Sequence, residues 1–161
     1  MRQVRTARPE DASALAEVFY LGVRRGARVA YSEAQCSAWC PEVPDGEGWV
    51  RRLDGLDIVL AEVSGQVVGF MALDVEQGLL DLAYVHPEHV RAGHASALYA
   101  VIEGRARRAG LTRIETEASR LAEPFFLSQG WRVLARQEVE RRGVLIPNAR
   151  MEKALNELVP G

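Results

Sequence analysis

The 161-residue chain is 48% hydrophobic and 26% charged, with a formal net charge of -2, which is the composition of one globular domain with one core. That charge gives no reason to expect nucleic acid as a partner. No apolar run approaches the roughly 18 residues a membrane helix needs, and the opening Met1 to Asp11 lacks a signal-peptide core.

In chain order, Gln3 to Ala7 reads as a strand. Pro9-Glu10-Asp11 opens a helix with Ala14, Leu15, Val18, Phe19 and Gly22 on its inner face. Arg24, Arg25 and Arg28 continue it or form a second helix. Ser32 to Gln35 has capping character and starts a short helix to Trp39. Cys40 to Gly46 is a loop, and Glu47 to Leu53 is another short helix. Cys36 and Cys40, one helical turn apart, are expected as free thiols in the cytoplasm rather than as a disulfide framework. The period then changes. Ile58 to Val63 and Gln66 to Val75 form a hairpin about Ser64-Gly65, and Gln77-Gly78 turns the chain into a third strand. Thr112 to Ala118 is a strand, Ala122 to Gln129 a short helix with Pro124 in its first turn, and Trp131 to Glu140 with Val144 to Lys153 a closing hairpin. The expected organisation is a single α+β domain over residues 1–155, with a frayed tail at 156–161.

The stretch Leu79 to Arg108 carries the strongest local signal. An apolar run ends at His86-Pro87, where proline cannot continue a central ladder. A polar loop with Arg91 and Gly93 follows, and then Ala95, Leu98, Val101, Ile102 and Ala106 recur at helical spacing. A strand, a tight loop and a helix make an anion site: the first helical turn has free N–H groups and the positive end of the dipole.

Val85-His86-Pro87 followed by Arg91-Ala92-Gly93-His94-Ala95 resembles the acyl-CoA motif Gln/Arg-x-x-Gly-x-Gly/Ala of the GNAT superfamily of N-acyltransferases. Ala122 to Trp131, AEPFFLSQGW, resembles that family's second signature, A-x-x-F-Y-x-x-x-G-F. The resemblance spans essentially the whole chain. It implies a mixed, mostly antiparallel sheet flanked by helices on both faces. It also implies acetyl transfer from acetyl-CoA to an amine of a small molecule or peptide by direct attack, with no metal, and a possible homodimer. Two positions depart from the pattern. Val90 stands where Gln or Arg is common, and Phe126 stands where many members carry a tyrosine that protonates the leaving thiolate.

On this resemblance Arg91, Ala92, Gly93, His94, Ala95 and Ser96 cradle the pyrophosphate. The backbone of Tyr84 and Val85 pairs with the pantetheine arm, and Phe126 lies beside the thioester. Asp81 is the lone carboxylate in Leu79-Leu80-Asp81-Leu82-Ala83. Period two puts it with Ala83 and Val85, opposite Leu80, Leu82 and Tyr84. It reads either as the general base or as a structural carboxylate bonded to a neighbouring strand or Arg. Glu117 is the second candidate base, Glu115 a solvated neighbour, and Tyr84 the fallback acid. The acceptor wall implied by the family is Val29 to Trp49. Tyr31, Gln35 and Trp39 are its candidate contacts, although aromatic residues at that spacing are more often core. His86, His89 and His94 with the two cysteines match no zinc spacing. Two rivals stay open: a binding-only acyl-CoA module, motivated by Phe126, and a nucleotide-phosphate binder, against which the absence of Gly-Lys-Ser/Thr argues.

Overall fold

The computed structural model describes residues 1–155; the tail expected to fray, Asn156 to Gly161, lies outside the described residues. Strand β1 (Arg2–Thr6) leads through a 3-10 turn at Pro9–Asp11 into α1 (Ala12–Arg24). A second 3-10 turn, Gly26–Val29, separates it from α2 (Glu33–Trp39) and α3 (Gly46–Leu53). Then come β2 (Asp57–Val63), β3 (Gln66–Asp74), β4 (Leu79–Val85), α4 (His94–Arg108), β5 (Arg113–Ser119), α5 (Glu123–Ser128), β6 (Arg132–Arg141) and β7 (Val144–Ala154).

The strands form one sheet in the order β1-β2-β3-β4-β5-β7-β6. Every pairing is antiparallel except β4 with β5. The closing hairpin therefore attaches through its second strand, leaving β6 on the edge. No helix among the described residues is long and apolar enough to cross a membrane.

Alternation along β2 and β3 builds two cores. Val59, Ala61, Met71 and Leu73 face α4, where Leu98, Ile102 and Ala106 meet them. Ile58, Leu60, Phe70 and Ala72 face α1 and α3, meeting Leu15, Val18 and Trp49. A third cluster, Val23, Ala27, Tyr31, Cys36 and Cys40 with Ile146, lays α2 across the end of β7. Helix α2 begins in a capping box: the Ser32 hydroxyl accepts from the Gln35 amide N–H, and the Gln35 side chain accepts from Ser32 N–H.

Strand β4 breaks the alternation. Ala72 and Leu73 are consecutive on β3, but their partners are Leu82 and Leu80, so Asp81 is an extra residue in a β-bulge. Leu80 accordingly packs in the α4 core and Leu82 in the α1 core. The period-two expectation that Leu80 and Leu82 share a face is corrected here, and with it the face assigned to Asp81.

Candidate active site

Strands β4 and β5 run parallel but share a single registered pair, Leu79 with Glu115. The Gly78 carbonyl accepts from Glu115 N–H at 2.9 Å, and the Thr116 hydroxyl donates to the Leu80 carbonyl at 2.7 Å. Beyond those bonds the strands part. His86 N–H points at the Val68 carbonyl on β3, so by ladder alternation the Val85 N–H points the other way, into the opening.

The opening is a groove of about 180 Å³. Ala83, Val85 and Met71 line one wall and Ala122, Phe125 and Phe126 the other, with Val90 and Ala95 at the end. Phe126 is only 1% exposed and forms the groove floor with its ring tilted against Trp131, 4.9 Å between centroids. The Trp131 indole N–H in turn donates to the Tyr99 hydroxyl, which donates to Glu103. The floor is thus fixed by a buried polar network and presents no hydroxyl of its own.

At the groove's end the loop before α4 folds as an anion cradle requires. Arg91 (φ 62) and Gly93 (φ 82) both take the left-handed conformation, which glycine adopts without steric cost. Gly93 caps a 15-residue helix. Ala97 N–H is the first to bond back, to the Gly93 carbonyl, so the N–H groups of His94, Ala95 and Ser96 are free of intrahelical partners. A cation that the sequence reading missed also reaches this loop. Arg2 of β1 donates to the Ala92 carbonyl at 3.4 Å and lies 3.5 Å from His94 Nδ1. Burial first, then Arg2 and His89, hold the His94 imidazole below its usual range. Arg91 and Ser96 are exposed.

On the α1 side of the sheet lies a second cavity of about 390 Å³. Phe19, Tyr31, Trp39 and Tyr84 give it an aromatic wall. Arg52, Asp81, Glu117, Arg141 and Asn148 give it a polar one. Trp39, Tyr84 and Ser119 line both groove and cavity, so the two meet there. Helix α1 packs close behind the junction: a Cβ on Gly22 would stand 3.3 Å from the Tyr84 ring.

The bulge aims Asp81 into this cavity, where Arg52 of α3 grips it with two hydrogen bonds, 2.7 and 3.1 Å. Its carboxylate is engaged, as the structural reading of that residue anticipated. Glu117 lines the same cavity, is exposed, and makes no ion pair or hydrogen bond among the described residues. Its cross-strand neighbour Arg150 leans to Glu115 instead, at 3.6 Å. Burial pushes the Tyr84 hydroxyl far above the ordinary tyrosine range, and the facing Trp39 indole only partly offsets it.

Two of the three candidate acceptor contacts line the cavity. Trp39 does so at the junction. Tyr31 does so with its hydroxyl already committed, donating to the Pro147 carbonyl at 2.5 Å and accepting from Arg120 N–H at 2.9 Å. Gln35 does not line it. Its amide closes the capping box and donates to the Leu145 carbonyl at 3.0 Å, tying α2 to β7. Both cysteines are free and buried, and burial pushes the Cys40 thiol up to about 11.

A family model described as an acetyltransferase (GNAT) domain matches residues 28–155. The chain belongs to the GNAT acetyltransferase family. It is 32% identical over 147 residues, 91% of each chain, to an uncharacterized N-acetyltransferase of Escherichia coli (strain K12), YafP. The crystal structure of a GCN5-related N-acetyltransferase from Rhodopseudomonas palustris, also named aminotransferase class-II, superposes with a TM-score of 0.89. It is 30% identical, with 96% of both chains covered. YncA of Salmonella typhimurium, a putative acetyltransferase solved with its cofactor acetyl-CoA, matches at 20% identity and a TM-score of 0.72. That match covers 100% of this chain and 98% of YncA, and it is a likeness of fold. Membership makes this chain a transferase that uses an acyl-CoA. The capped α4 loop falls in the first stretch where its sequence resembles a family motif, and the groove residues Ala122, Phe125 and Phe126 fall in the second.

Proposed function

We propose that this protein moves an acetyl group from acetyl-CoA to a primary amine of a small molecule by direct attack. The observation that carries this reading is the junction at Tyr84, Trp39 and Ser119. There a groove ending at a helix N-terminus opens into a separate cavity that holds an unpaired carboxylate. The bound acetyl-CoA of YncA supports the cofactor. The cavity, small among ligand sites, supports a small acceptor over a protein surface. The buried free thiols of Cys36 and Cys40 fit a reducing compartment, the cytoplasm.

In this reading the free N–H groups of His94, Ala95 and Ser96, with Arg91 and Arg2 nearby, hold the pyrophosphate. The outward backbone groups of Ala83 and Val85 pair with the pantetheine amides. The Val85 N–H polarises the thioester carbonyl. As the amine attacks, its N–C bond forms, the C–S bond breaks, its proton passes to Glu117 and the thiolate leaves. A base is needed because an aliphatic amine at neutral pH is protonated over neutral by roughly 10^3. Glu117 is favoured over Asp81, whose carboxylate is already gripped by Arg52. Tyr84 is a poor acid for the thiolate: its raised pKa lies well above that of a thiol, about 8.5. It keeps its proton and serves as a wall. Phe126 supplies none, so the thiolate leaves unassisted or takes its proton from water.

Incubating the purified protein with acetyl-CoA and a panel of amines, read by thiol release and product mass, tests the reading. Acetyl-CoA binding without N-acetylated product from any amine would favour a binding-only module.

A further inference from the structure

The polar lining of the acceptor cavity has a specific charge pattern. It holds two carboxylates, Asp81 and Glu117, and two guanidiniums, Arg52 and Arg141. Asp81 and Arg52 cancel through their two hydrogen bonds. Glu117 and Arg141 are left as opposite charges in one cavity, and neither has an ion-pair partner among the described residues. Arg141 sits at the tip of the β6–β7 hairpin, paired in register with Val144, and its guanidinium reaches only the neighbouring Glu140 carbonyl at 3.2 Å. Between the two lies Asn148, register partner of Ser119 on β5. Its Oδ1 is buried with no hydrogen-bond partner, and a buried acceptor left empty is costly unless a ligand fills it.

From this arrangement we infer that the acceptor is a zwitterion: a small amine that also carries a carboxylate, read by Arg141, with its amino group held by Glu117 and the Asn148 carbonyl. This rests on the acetyl-transfer reading above. The lining sums to zero charge, so a ligand of zero net charge leaves nothing uncompensated. A polyamine would leave excess positive charge and a phosphorylated amine excess negative charge. Arginine suits a carboxylate because its fork binds both oxygens. The aromatic wall of Phe19, Trp39 and Tyr84 takes the apolar part of the molecule.

Three matched pairs test this, each an amino acid and the same amine without its carboxylate. They are L-phenylalanine with phenethylamine, 4-aminobutanoate with propylamine, and 6-aminohexanoate with pentylamine. The series spans increasing separation between amine and carboxylate. Thiol release from acetyl-CoA gives kcat/KM for each, and calorimetry gives acetyl-CoA affinity. In at least one pair the acid should be preferred by about 10- to 100-fold, the ratio expected from one charge-assisted hydrogen bond. Arg141→Gln should collapse that preference mainly by raising KM for the acid, and Arg141→Lys should keep part of it. Carboxylate-free amines used as well as or better than the acids overturn the zwitterion and leave acetyl transfer standing, and an acid preference that Arg141→Gln does not change overturns Arg141 as the group that reads the carboxylate. No turnover with any amine despite bound acetyl-CoA overturns both.

Discussion

Replacing Glu117 with glutamine separates chemistry from structure. Its carboxylate makes no bond among the described residues and is exposed, so the change should shift stability by less than about 0.5 kcal/mol. The rate effect should be large. An amine of pKa about 10.4 is neutral in roughly one molecule per 10^3 at pH 7, and a positioned base contributes about 10^2 to 10^4 in rate. Turnover of Glu117→Gln should therefore fall by about 10^2 to 10^3 near pH 7. It should recover toward wild type as pH approaches about 10, where the amine is neutral unaided. The assay is a pH–rate profile by thiol release at saturating amine, with acetyl-CoA affinity and thermal melts as controls. Asp81→Asn is the comparison. It breaks a pair whose guanidinium is 44% exposed, a pair worth at most about 1 kcal/mol. Its smaller rate loss should not recover with pH. Wild-type turnover of Glu117→Gln near pH 7, or a loss undiminished at high pH, would refute the assignment of Glu117 as base.

Three further outcomes follow from the geometry. Gly93→Val puts a β-branched residue at φ 82, with its Cβ position 3.4 Å from the Arg2 guanidinium. Acetyl-CoA affinity by calorimetry should fall at least about tenfold while the protein stays folded, since left-handed strain costs about 1–2 kcal/mol. Tyr84→Phe should keep turnover within about threefold and leave the alkaline side of the pH profile unmoved, because a hydroxyl raised so far is no acid for a thiolate. Asp11→Asn tests linkage. Asp11 is held down to about 2, first by the hydrogen bonds from Arg5, against the opposing effect of burial, with the Arg8 N–H assisting. A carboxylate depressed in the folded state stabilises above its unfolded pKa, and that stabilisation fades as pH falls from about 4 to about 2. Asp11→Asn should thus cost about 2 kcal/mol at pH 7, or about 4–8 °C in Tm, and the melts should converge near pH 2.

Element order and the two motif stretches were legible because they rest on local chemistry: the Ser32 cap, the Ser64-Gly65 turn, the Pro87 stop and the Gly93 loop. What was not legible depends on partners distant in sequence. The bulge at Asp81 has no signature within Leu79-Leu80-Asp81-Leu82-Ala83, and period two placed that carboxylate on the wrong face until the pairing with β3 was known. Its partner Arg52 lies 29 residues upstream. Tyr31 and Gln35 were expected as contacts of the acceptor wall. Each is nonetheless taken by carbonyls of β7, Pro147 and Leu145, which no helical spacing reveals. Arg2 at the α4 cradle was missed for the same reason: β1 is brought there by its place in the sheet. A closing hairpin can also join a sheet through either strand, so the insertion of β7 between β5 and β6 awaited the structure.

The central claim is that acetyl transfer occurs where the β4–β5 groove meets the acceptor cavity. Its most direct test is mass spectrometry of the reaction with isotopically labelled acetyl-CoA and the amine panel, following the small-molecule product and the intact protein together. The account predicts a labelled N-acetyl amine formed one-for-one with released thiol and a protein mass that never gains an acetyl group. Stoichiometric acetylation of the protein before product forms, or acetyl-CoA bound with no labelled amine from any acceptor, would contradict it.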